Sequence, residues 1–285
     1  MKYNITKTTT TLLGLLLLSF YASISFSASN TLNNKTNTTF FGVSDKWSHP
    51  FFDNFSIKET PLLSNVRTDR VIGLHNDLLE SADEFLNDIN SFDFSQNYIP
   101  KYYDISLFGL SFLIGHSFQD FRIEFEGFYE KFDVKNDKSH IIDGNRRHFA
   151  LFRAGSLFFH DYVTLRNDGV EFYSAMLNIC YDLRASNTDV IPFSCIGIGG
   201  DVIKIFNTVD VKPAFQAKVG VNYFLVYNKV SLFIDGYYHK VIGNQYSDIP
   251  VQYPITLFSD PIITSAFARL DIDYLGAEVG LKIFI

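Results

Sequence analysis

The sequence predicts an all-β fold: an eight-stranded antiparallel up-and-down transmembrane β-barrel with long extracellular loops and a short helix in the first loop. Three observations predict it. The closing stretch, Leu275 to Ile285, places Leu275, Ala277, Val279, Leu281, Ile283 and Ile285 on one face and Gly276, Glu278, Gly280, Lys282 and Phe284 on the other. The same period of two recurs upstream, with glycine and charge again opposite the apolar face. Short and long connections alternate along the whole chain, as they do when turns gather at one end of a barrel and loops at the other. In lipid only a closed ring of strands satisfies every backbone group, so such strands close into a barrel that is apolar outside and polar inside.

Composition agrees. The 285 residues are 47% hydrophobic and 16% aromatic, with 30 Phe, 16 Tyr and 1 Trp, a bias that suits strands and membrane-interface girdles. A net charge of -7 excludes nucleic acid as the expected partner, because phosphate binding needs a basic face. Residues 1–27 read as a signal peptide: Lys2 and Lys7 precede the apolar run Leu12 to Phe20, and small Ser25 and Ser27 flag cleavage after Ser27. Residues 28–285 are then the barrel, placed in the cell outer membrane with surface-exposed loops.

In chain order, Phe40 to Trp47 forms a first strand with Phe41, Val43 and Trp47 on one side. The segment 48–102 is a long loop in which Leu74, Leu78, Leu79, Ala82, Phe85, Leu86 and Ile89 fall at helical spacing, predicting an acidic helix of about five turns. A hairpin turning at Ser117 to Asp120 follows. Its second strand carries Arg122, Glu124, Glu126 and Glu130 on one face, and that face cannot meet hydrocarbon, where a mid-depth charge costs about 2–4 kcal/mol. A loop over 135–169 holds His140, His148 and His160. Strands over 171–183 and 191–203 are joined by a turn, and a third long loop is expected at 204–213. Strands over 215–226 and 230–242 precede a fourth, at 244–265.

Cys180 and Cys195 straddle the 184–190 turn at positions that would oppose each other and face inward. The sequence leaves a disulfide and two free buried thiols equally open. No zinc spacing and no cofactor motif is present.

The stretches Phe128 to Asn136 (FYEKFDVKN), Ala175 to Asp182 (AMLNICYD), Pro192 to Asp201 (PFSCIGIGGD) and His239 to Pro250 (HKVIGNQYSDIP) resemble the major surface antigens of the Ehrlichia and Anaplasma outer membrane. The resemblance covers roughly residues 104 to 285 and the signal peptide. It implies an immunodominant outer-membrane barrel, some relatives of which behave as porins. The chain departs from the family in 48–102 and in ending on Ile285, where the family usually ends in phenylalanine.

Two functions follow as expectations. One is a porin for small hydrophilic solutes, lined by Arg122, Glu124, Glu126, Glu130, Asp182, Asp201, Lys218, Asp235, His239, Glu278 and Lys282. Against it stands the size of an eight-stranded ring, whose interior side chains nearly fill. The other is a non-conducting scaffold whose loops adhere to host cells or meet antibodies. Outer-membrane lipid and the barrel-assembly machinery are the expected partners, together with a homo-oligomer if the barrel conducts. An enzyme is not expected: Asp235 and His239 share a face, but no nucleophile motif accompanies them.

Overall fold

The structure, a computed structural model, describes residues 37–285 apart from 61–67, 96, 99–102, 136–139, 154–160, 185–189, 227–228, 258–261 and 263. The signal-peptide reading and His160 therefore lie outside the described residues. The described residues form fourteen strands: β1 (Thr38–Pro50), β2 (Asp53–Thr60), β3 (Thr68–Gly73), β4 (Ser106–Phe118), β5 (Phe121–Phe132), β6 (His148–Arg153), β7 (Tyr162–Arg166), β8 (Val170–Asp182), β9 (Val190–Ile205), β10 (Thr208–Val226), β11 (Val230–Val241), β12 (Gln245–Ile249), β13 (Ser265–Asp271) and β14 (Asp273–Phe284). Eight of them close a barrel in the order β1-β14-β11-β10-β9-β8-β5-β4. The remaining six form two three-stranded sheets, β12-β13-β2 and β3-β6-β7.

Every barrel pairing is antiparallel. Following partners once round the ring, from Thr39 through His116, Ile123, Ile179, Ile196, Ala217, Tyr238 and Leu275, returns to β1 at His49, ten residues on. Eight strands with that stagger tilt by about 40–45° and leave a backbone radius of only about 8 Å, so side chains fill the ring.

The outer wall is the apolar one. Phe112, Ile123, Ile179, Ile196, Val219 and Leu281 all point outward. Phe118, Phe121, Tyr181 and Tyr223 ring the short-turn end, and Trp47, Tyr129, Tyr173 and Tyr238 ring the other. Phe121 and Tyr129 lie about 27 Å apart along β5, which tilt reduces to about 20 Å of height, near that of an outer-membrane apolar band. The next outward positions beyond the upper girdle are charged: Lys131 and Lys204 both approach Glu171.

One outward charge breaks the pattern. Asp45 sits between Val43 and Trp47, beside Leu110 and Val279, and its side chain makes no hydrogen bond or ion pair with another described residue.

Sequence-based expectation and structure differ in the connections. The loop expected at 204–213 is a two-residue turn, Phe206-Asn207, with φ of 48° and 59°. Two consecutive left-handed residues make the tight turn that suits strand twist, and buried Phe206 anchors it, so β9 and β10 run on past the membrane band. The loop at 48–102 shrinks at its start, because β1 continues to Pro50, and it also contains β2 and β3. The loop at 135–169 contains β6 and β7; that at 244–265 contains β12, and β13 follows directly. The five-turn helix is a single turn, α1 (Ala82–Phe85), followed by a 3-10 turn at Ile89–Ser91. Tertiary contacts overrule its helical spacing. Leu74 bridges to Phe92, and Asn145 takes the Ala82 N–H and donates to the Glu80 carbonyl, fixing the chain around α1. The last turn of α1 carries no basic residue, and Leu79, counted on the apolar face, is 75% exposed.

Asp45→Val removes a carboxylate from the apolar band and should raise stability in lipid vesicles by about 1 kcal/mol. The urea midpoint checks this; an unchanged or lower midpoint contradicts the lipid-facing placement.

Candidate functional site

Alternation along the barrel strands sends all eleven residues expected to line a lumen inward, and all are buried. They do not line an open path. They meet in three tiers.

Nearest the short turns, Arg122 bonds to Asp182 and, through Nε at 2.6 Å, to Glu124. Lys282 Nζ reaches Glu124 at 2.9 Å from the far side of the ring. The rings of Phe193 and Phe233 flank these cations, and Phe284 closes the tier against Phe40 and Phe224, leaving Ile285 outside. Phe284, one position short of the family's terminal phenylalanine, thus points into the ring.

The middle tier crosses the barrel. Lys46 lies 2.9 Å from Glu126 and 3.2 Å from Glu278; Lys218 lies 2.7 Å from Glu126 and 2.6 Å from Glu278. Each lysine answers two carboxylates and each carboxylate two lysines. Glu126 also accepts from Asn178 and Gln216, and Glu278 from Ser44. Burying an ion costs several kcal/mol, which nearby opposite charge offsets; Lys218 and the two glutamates are also hydrogen-bonded, whereas Lys46 Nζ meets its carboxylates at ion-pair distance only and lies over the rings of Phe128 and Tyr237. Asp235 sits opposite Glu278 in register, with no basic side chain in ion-pair range among the described residues.

In the upper tier Glu130 accepts from Ser48 at 2.5 Å and from Tyr237 at 2.6 Å. His239 bonds Asp201 through Nε2 at 2.9 Å and stacks on Tyr274. The Asp235 and His239 pairing considered from sequence does not form, since each contacts a different carboxylate neighbour. Above them Phe132, Phe172, Ile203 and Tyr274 fill the mouth and run into the core of the two outer sheets.

Lys46 is the interior cation that sequence reasoning missed. Its signal was present: Phe41, Val43 and Trp47 face out, so Lys46 must face in. Asn178 and Gln216 carried the same parity but no charge.

Cys180 and Cys195 are direct register partners and form a disulfide, which decides the alternative left open by the sequence. Glu124 lies beside them. The two sulfurs are spent on each other, so this cluster offers no thiolate to a metal.

The sheets beyond the barrel lock to each other. Arg153 of β6 forks onto Glu59 of β2 at 3.0 and 2.5 Å, and Thr264 donates to the same carboxylate at 2.7 Å. Gln252 exchanges backbone hydrogen bonds with Thr164. Burial pushes the Tyr103 phenol up to about 12, with the Asn167 hydrogen bond opposing it. Burial, then the Arg166 charge, holds the His148 imidazole below its ordinary value. Both are therefore neutral in the folded cap near pH 7.

A closed ring with hydrocarbon-facing walls and an ion-paired interior defines an outer-membrane β-barrel protein. The chain belongs to the surface antigen family, whose model matches residues 32–285. It is 30% identical over 192 residues to Major surface antigen 4 of Anaplasma marginale, covering 67% of this chain and 64% of that protein. Among solved structures, Neisserial surface protein A matches with a TM-score of 0.40 at 12% identity, over 86% of this chain and 96% of the other. The outer membrane protein OprG of Pseudomonas aeruginosa matches with a TM-score of 0.45 at 11% identity, over 88% and 97%. Neither likeness carries function.

Glu126→Ala strands Lys46 and Lys218 beside Glu278 alone and should cost about 3–5 kcal/mol. The joint replacement of Lys46 and Glu126 by Met should recover part of that loss. Urea unfolding in vesicles, read by Trp47 fluorescence, measures both; a cost below about 1 kcal/mol for Glu126→Ala would show that the tier does not hold the ring.

Proposed function

We propose that this protein is a surface-exposed outer-membrane antigen in which the barrel is a closed, non-conducting anchor. The two sheets at the long-loop end are then the part that faces the host. The observation that carries this reading is the middle tier: Lys46, Lys218, Glu126 and Glu278 join opposite walls where a pore would need water. The apolar fill of Phe132, Phe172 and Tyr274 above it supports the same conclusion. The porin reading needs a wider ring, whether from a tenth or twelfth strand or from assembly of several copies. The reading is of a protein without a catalytic step, delivered by a leader over 1–27, folded by the barrel-assembly machinery and meeting host surfaces or antibodies through its cap.

Planar-bilayer recording of refolded protein should give no discrete conductance steps. Steady unitary steps that Lys46→Ala enlarges would replace this reading with the porin. Protease applied to intact cells should cut only within the connections at the long-loop end; cuts at the 184–190 turn would invert the topology.

N-terminal sequencing of protein from outer membranes should begin at Ala28. A start at Met1 would remove the leader.

A further inference from the structure

The apolar outer wall is not smooth. Across β1, β4 and β5, with Tyr173 of β8 at its edge, it sinks into a groove of about 570 Å³, within the range of small-molecule sites. Phe112 and Leu110 form one bank and Phe125 the lower end, while Gly127 makes the floor and Tyr129 and Tyr173 stand at the upper end. The floor exists because Gly127 points outward, where its neighbours along β5 carry phenyl and phenol rings. From Phe125 to Tyr129 the groove runs about 13 Å along the strand.

We propose that this groove binds one acyl chain of a membrane glycerophospholipid, oriented with its polar head at the Tyr129 and Tyr173 hydroxyls. The placement of this lipid rests on the membrane-spanning fold. The groove is continuous with the hydrocarbon-facing wall, so its occupant comes from the bilayer. Its upper end coincides with the aromatic girdle, where amphipathic rings meet headgroups. Lys131 and Lys204 lie in the next outward positions, on either side of Glu171, with Lys131 also 3.1 Å from Asp133, so charged groups stand at the level where a headgroup would lie. A chain seated among Phe112, Phe125, Tyr129 and Tyr173 loses less on leaving bulk lipid than one lying on a flat wall, which separates this lipid from its annular neighbours.

The backbone supplies a clean test. A Cβ built on Gly127 meets nothing nearer than the Ser174 carbonyl oxygen at 3.9 Å, so Gly127→Leu fills the groove without displacing the wall. Gly236, also facing outward but on β11, has its nearest neighbour at 3.8 Å and tolerates the same change outside the groove. Native mass spectrometry of the full barrel, extracted from outer membranes in mild detergent, should show one phospholipid adduct on the wild type. Gly236→Leu should keep it and Gly127→Leu should lose at least fivefold of it. No adduct on the wild type, an adduct retained by Gly127→Leu, or equal loss from both variants overturns the proposal. Should Gly127→Leu fail to fold, a diazirine-acyl phospholipid reconstituted with wild-type protein decides. Crosslinks concentrated in residues 110–129 support the groove, and crosslinks spread evenly round the barrel overturn it.

Discussion

The structure depends on a shortage of room. An eight-stranded ring staggered by ten residues leaves a lumen that a single layer of side chains fills, so no inward charge keeps a full hydration shell. Leaving such a charge unanswered costs stability, and among the inward carboxylates Asp235 is left without a basic side chain in ion-pair range among the described residues. The crossed quartet of Lys46, Lys218, Glu126 and Glu278 answers its own charges, as does the chain from Asp182 through Arg122 and Glu124 to Lys282. The same constraint leaves Glu130 to hydroxyl donors instead of a cation.

Outside the ring the solvent changes and the logic reverses. Asp45 apart, the wall is apolar up to Tyr129 and Tyr173, and charge returns with Lys131, Glu171 and Lys204. Above that line the chain no longer follows an inside-outside alternation set by lipid. There β6 is buried along its whole length, and the two sheets share a core that continues into the mouth of the barrel. The cap is thus packed as a small globular unit rather than a set of free loops, and the buried Glu59 and Arg153 pair ties its two sheets together.

How legible the chain was depends on what each residue answers to. Arg122, Glu124 and Glu126 were readable as inward because alternation with Phe121, Ile123 and Phe125 is local. Lys46 obeyed the same rule but sat in a strand whose outward row includes Asp45, and that one polar residue hid the pattern. The turn at Phe206-Asn207 was unreadable because neither residue is the glycine that a left-handed pair usually recruits. Strand β6 escaped notice because burial on both faces erases period-two alternation, leaving HFALFR without a polar phase, and β7 because five residues, with Val163 and Leu165 against Thr164 and Arg166, make too short a repeat. The apolar spacing from Leu74 to Ile89 was real, but it served packing against Phe152 and Tyr162 rather than a continuous helix.

The sequence by itself determined that strands would close into a membrane barrel, which residues would face inward, and that Cys180 would stand opposite Cys195. Those properties follow from a repeat of two residues and a short turn, both local. Only the tertiary structure decided that the inward charges would meet across the ring and that the long connections would fold into sheets. Partners such as Ser44 and Glu278 are 234 residues apart in the chain. Nothing local can bring them together; the stagger of the closed ring does.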